Sequence, residues 1–140
     1  LKTHLYELLE KVGTTKTAKL KSKYLMDNDS LGIRDFLKGS FDDSITFKWV
    51  TDKGDIPYIP NKTDDPESLL DKTKAFAFLY DGGKGVTLTE MAREQMLIDL
   101  LQSIHPKDAK LVIDMFNNNV KGTVKGLTKK LCNTTWEGLV

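Results

Sequence analysis

The segment from Thr87 to Ile104 constrains this chain more than any other. Met96, Leu97, Ile98, Leu100, Leu101 and Ile104 spread over a wide arc of a helix, leaving Gln95, Asp99, Gln102 and Ser103 as a narrow polar strip. So broad an apolar face must be covered on several sides. A helix beginning at Thr87 or Thr89 is therefore expected at the centre of a fold built from other helices. With 39% hydrophobic and 29% charged residues among 140, the composition is that of a globular domain. A chain this long buries about 68% of its unfolded surface. No apolar run approaches the ~18 residues a spanning helix requires, so no membrane is expected as a partner.

The flanking segments supply the covers. Leu1, Leu5, Leu8, Leu9 and Val12 fall at helical spacing, with Gly13 as the stop. Thr14 or Thr15 would cap a second helix to about Asp27, with Lys16, Lys19 and Lys23 opposite Ala18, Leu20, Tyr24 and Leu25. Asp27-Asn28-Asp29-Ser30 is a turn and cap signal, followed by Ile33, Phe36 and Leu37 on one face and Gly39 as a stop. From Ser44 to Val50 the period changes to two, and Thr51 to Pro66 is rich in turn formers. Pro66 is placed to start a fourth helix through Leu69 and Leu70 to Tyr80, ended by Asp81-Gly82-Gly83-Lys84-Gly85.

His105-Pro106-Lys107-Asp108 opens the next helix, with Ala109, Leu111, Val112, Met115 and Phe116 inward and Asn117-Asn118-Asn119 at its end. After a basic connector from Lys121 to Gly126, Thr128 or a neighbour caps a last helix through Leu131 and Trp136. The expected fold is mainly α: a compact single-domain bundle of five to seven helices over 1–140, with a short extended arm or β-hairpin near residues 44–60. Residues 1–23 could alternatively form a separate or mobile N-terminal helix.

Net charge is only +1, so no global field demands a polyanionic partner. The charge is nonetheless uneven: residues 1–26 carry +4, residues 51–105 carry −4, and residues 106–140 carry +3. The ends could form one basic face if they met in the fold, or could equally be paired off by acidic residues. The single Cys132 excludes an internal disulfide and fits a reducing cytosol. One Cys with His4 and His105 makes a structural zinc site a poor fit.

The motifs that suggest chemistry are better read as structure. Pro106 at a first helical position and Asp108 in the first turn punctuate a helix, and no Ser or Cys nucleophile stands at a recognisable spacing from His105. Gly82-Gly83-Lys84-Gly85 lacks the gap and the hydroxyl of a phosphate loop and reads as a turn. Asp64, Asp65, Glu67 and Asp71 fit no calcium loop. No catalytic residue, cofactor or metal is expected, and the chain is read as not an enzyme.

Several blocks taken together do carry a resemblance. They are Leu31 to Leu37 with Arg34, Gly39 and Phe41-Asp42, Pro57-Tyr58 with Pro60-Asn61, and Arg93-Glu94-Gln95 leading into Leu100-Leu101. The strongest is His105-Pro106-Lys107-Asp108-Ala109, followed by Gly126-Leu127-Thr128-Lys129-Lys130 and Gly138-Leu139. Over about residues 24–139 the chain resembles an uncharacterised family of small proteins of tailed bacteriophages, T4-like myoviruses and their marine relatives. The resemblance implies a phage product acting in the host cytoplasm, and it brings no catalytic residue and no cofactor.

The expected function is a non-enzymatic accessory protein that binds a host or phage protein during infection. Its candidate contacts are Phe47, Trp49, Tyr58, Ile59 and Trp136, the densest apolar group outside regular helix together with a C-terminal aromatic. The alternative is a nucleic-acid-associated factor using Lys16, Lys19, Lys23, Lys107, Lys125, Lys129 and Lys130. A minor virion component is a third reading, favoured if Leu1 in place of Met reflects removal of a leader.

Overall fold

A computed structural model describes residues 2–47 and 56–140. Its helices are α1 (Leu5–Thr14), α2 (Ala18–Asp27), α3 (Leu31–Phe41), α4 (Glu90–Ser103), α5 (Pro106–Phe116) and α6 (Lys129–Thr135). Three 3-10 segments, Leu69–Asp71, Thr73–Phe78 and Lys84–Thr87, fill much of the space between α3 and α4. Among the described residues there is no strand, only the isolated bridges Phe47–Tyr80 and Glu67–Ile104. The fold is mainly α, as the apolar periodicity requires. The tip of any hairpin within 44–60 falls on residues 48–55, outside the described residues.

Local capping explains most of the boundaries. The hydroxyls of Thr17, Ser30, Thr89 and Thr128 accept from the backbone N–H groups of Leu20, Ile33, Ala92 and Leu131, each three residues on. Each satisfies one of the donors that a helix start leaves orphaned. Three expected boundaries shift. Thr17, not Thr14 or Thr15, caps α2, because Thr14 is the last residue of α1 and the Thr15 hydroxyl bonds back to the Lys11 carbonyl at 2.7 Å. Neither Gly13 nor Gly39 stops its helix; α3 runs on to Phe41, and the space a side chain would fill at Gly39 is taken by Met115 and Phe47.

One apolar cluster joins the elements. Leu5, Leu8, Leu9 and Val12 of α1 meet Ile33, Phe36, Leu37 and Phe41 of α3, Leu97, Leu100 and Leu101 of α4, and Ala109, Val112 and Met115 of α5. The central role expected of α4 belongs to its last two turns and Ile104, since Met91 in its first turn is 79% exposed. Leu20, expected inward, is exposed, and Lys21 beside it is buried instead. The Lys21 ammonium donates to the Val12 carbonyl at the end of α1 and, at 3.1 Å, to the Lys125 carbonyl. The positive charge thus sits where the α1 dipole is negative. Cys132 is wholly buried, and burial pushes its thiol up to about 12.

The expected fourth helix is corrected. Residues 69–78 form 3-10 turns, closed by bonds such as Lys72 N–H to Leu69 O and Leu79 N–H to Phe76 O. At three residues per turn, Thr73, Phe76 and Leu79 stack in one buried column while Lys74, Ala77 and Tyr80 form the next. The segment lies so close to α3 that a Cβ on Gly32 would run into the Leu70 carbonyl. Gly32→Ala should therefore lower stability by about 1–3 kcal/mol through overpacking, against a gain of ~1 kcal/mol in helix propensity. Urea unfolding measures the net change, a destabilisation of about 0–2 kcal/mol, and a raised midpoint would contradict this packing.

Candidate binding groove

The α3 helix ends on an acidic turn that aims the chain toward a groove. Asp42 Oδ1 accepts from the Ser44 hydroxyl at 2.7 Å and its N–H at 2.9 Å, and Oδ2 accepts from the Lys38 ammonium at 2.9 Å. This Asx turn carries Ile45 and Phe47 back across α3. Phe47 then bridges Tyr80, and the Thr46 carbonyl accepts from the Asp81 N–H at 2.7 Å. The turn that follows is glycine-rich for a packing reason: a Cβ on Gly85 would collide with the Phe78 carbonyl, and one on Gly83 would meet the Ala77 carbonyl at 2.5 Å. The stop signal Gly82-Gly83-Lys84-Gly85 is thus a tight fold-back that delivers Lys84 to the groove rim.

Between α3 and residues 73–84 lies a cavity of about 490 Å³ whose lining includes Leu31, Ile45, Phe47, Phe76, Phe78 and Tyr80. Lys38, Lys74 and Lys84 also line it, with Asp35 as the one carboxylate among the described residues. Asp35 accepts from the Thr73 hydroxyl at 2.9 Å, so the two polar groups satisfy each other. Phe47 meets Phe76 edge-on at 6.1 Å and Tyr80 edge-on at 6.3 Å, and stacks on Phe116 at 4.7 Å. These contacts fix the aromatic wall.

The candidate contact residues separate on this frame. Phe47 is core, at the back of the groove, and offers little surface to a partner because four aromatic and glycine neighbours close over it. Ile59 is 74% exposed, and its N–H donates to Gln102 of α4. Tyr58 beside it is half-buried. The half-buried Trp136 donates its indole N–H to Asp29, between α2 and α3, at 3.1 Å. Trp49 lies outside the described residues. Sequence spacing missed Leu31, Lys74, Phe76, Phe78 and Lys84; the signal over 72–80 is that Lys72, Lys74, Phe76, Phe78 and Tyr80 fall at every second position.

The lysines also divide. Lys23 pairs with Asp27, Lys107 with Glu10, and Lys129 with Asp43. Lys16, Lys19, Lys125 and Lys130 have no ion pair among the described residues. The basic ends do meet, since α2 packs on α6 with Ser22 and Thr135 hydroxyls 2.8 Å apart. A shallow depression of about 360 Å³, lined by Lys11, Lys16, Leu20, Lys23 and Tyr24, lies at the α1–α2 corner.

The His105-Pro106-Lys107-Asp108 block secures two helix ends. His105 Nδ1 accepts from the Lys107 N–H at 3.0 Å, capping α5, and Pro106 is the first helical residue. Asp108 does not serve its own helix. It is wholly buried, and its Oδ1 accepts from the Tyr6 N–H of α1 at 2.8 Å. His4, at the α1 cap position, makes no side-chain cap bond, so Asp108 supplies one from 102 residues away. Burial pushes the Asp108 carboxyl above the usual range, against the pull of the Tyr6 N–H and of His4. His4 Nδ1 lies 3.8 Å from Asp108 Oδ2. Among the described residues no three His, Cys, Asp or Glu side chains converge as metal ligands.

Two outcomes follow from these bonds. Asp108→Ala leaves a buried N–H without an acceptor and should cost about 1–3 kcal/mol, whereas Asp108→Asn keeps an oxygen and should cost less; chemical denaturation ranks the two. Asp42 is held down to about 2 by the Ser44 hydroxyl first and Lys38 second. Its contribution is present above the unfolded carboxylate value of ~3.9 and lost as pH falls through the folded value. Asp42→Asn should accordingly flatten the fall in melting temperature between about pH 4 and pH 2.

No curated protein and no solved structure matches this chain. One family model does match, over residues 8–122. That span takes in residues 8–23, which the phage resemblance left out, together with the described groove, and it ends before Gly126. The chain belongs to the family of unknown function DUF6433.

Proposed function

We propose that this chain is a non-enzymatic accessory protein of a tailed bacteriophage. It binds a host or phage protein in the host cytoplasm during infection, and its contact surface is the groove between α3 and residues 73–84. The observation that carries this reading is the groove itself: an aromatic-lined cavity of about 490 Å³ with lysines among its lining. Its size lies within the ~300–1,000 Å³ of ligand pockets, and Leu31 in its lining is 55% exposed. The phage setting rests on the blocks from Leu31 to Leu139 that resemble phage proteins.

The second reading, a nucleic-acid-associated factor, is favoured by the lysine-lined depression at the α1–α2 corner and by the packing of α2 on α6. An affinity pull-down of the tagged protein from infected cells, with and without nuclease, separates the two. The expected result is one protein enriched in both samples and lost with Ala77→Trp, which fills the groove, or with Leu31→Asn in its lining. Partners that vanish with nuclease would overturn the groove reading, and Lys16/Lys19/Lys23→Glu should then abolish retention on heparin. Intact chain in purified virions would instead mark a minor virion component.

A further inference from the structure

We infer that the occupant of the groove is an acidic peptide segment that seats an apolar anchor side chain; the inference rests on the binding reading above. The interior selects the anchor. The Thr73 hydroxyl is already spent on Asp35, so a polar edge inserted beside it would lose its water without gaining that partner. Ile45, Phe78 and Tyr80 instead offer apolar walls, backed by the buried Phe47 and Phe76. An aliphatic or aromatic side chain gains by entering.

The lining charges select the flanks. Lys74 and Lys84 are exposed and have no ion-pair partner among the described residues, while Lys38 pairs with Asp42. Against these three ammonium groups the described residues of the lining hold one carboxylate, Asp35, which accepts from the Thr73 hydroxyl. Carboxylates on either side of the anchor complement this field, and a basic segment is repelled by it. Lys74 comes from the column beside the buried one and Lys84 from the glycine fold-back, so two separate elements present the same charge to one groove.

The test selects a random peptide display library on the immobilised full chain, with the Ala77→Trp chain as the counter-selection. Selected peptides are then synthesised and titrated by calorimetry. The expected peptides are rich in Asp and Glu around one Leu, Phe, Tyr or Trp. Their affinity should fall about tenfold in Lys74→Glu/Lys84→Glu, fall less in Lys74→Gln/Lys84→Gln, and weaken with added salt. Lys16→Glu/Lys19→Glu, on α2, should leave it unchanged. Neutral or basic selected peptides, no enrichment over the filled groove, or binding indifferent to both lysine pairs would each overturn the inference. In those cases a protein captured from infected cells and lost with Ala77→Trp would still support the binding reading, so the two can fail separately.

Discussion

Both ends of α1 are held by buried charges that belong to other parts of the chain. Asp108 of α5 accepts from the Tyr6 N–H at the positive end of the helix, and Lys21 of α2 donates to the Val12 carbonyl at the negative end. A buried charge without a partner is costly, and so is a buried helix end. Here each deficit is met by the other. The arrangement fixes α1 against α5, against α2 and, through the Lys125 carbonyl, against the connector to α6. The apolar face of α1 then supplies Leu5, Leu8, Leu9 and Val12 to the cluster that α3, α4 and α5 share.

The groove depends on that cluster at one remove. Because α3 is held by the core, the Asp42 turn at its end directs Phe47 to a set position. Phe47 in turn registers Tyr80, and the glycines after Tyr80 bring Lys84 to the lining. A short series of local contacts thus converts one helix end into a shaped surface, with no sheet among the described residues to support it.

What could be read in the sequence was what is decided locally. Ser30, Thr89 and Thr128 cap the helices that their neighbours' apolar spacing announces, and His105-Pro106 opens α5 as punctuation should. What could not be read was decided by partners distant in sequence. Lys21 looks like one more solvated lysine until the α1 terminus is placed beside it. Asp108 looks like a first-turn residue of its own helix until Tyr6 is found above it. Phe47 and Tyr58 carry similar apolar signals, yet Phe47 is core and Tyr58 is half-exposed, a difference set by the Tyr80 bridge. The apolar residues from 69 to 80 suit a period of 3.0 as well as 3.6, and contact with the α3 backbone at Gly32 accompanies the tighter winding.

That tighter winding governs how the segment can drift over generations. Successive residues of a 3-10 turn are rotated by about 120°, so a single inserted or deleted residue exchanges whole columns. Losing one residue ahead of Thr73 would carry Lys74 and Ala77 into the core and turn Thr73 and Phe76 out of it. Losing three would keep core and groove faces in place and only shorten the wall. Length variation between residues 69 and 78 should therefore come in threes among working members of the family, whereas residues 56–65 carry no such arithmetic.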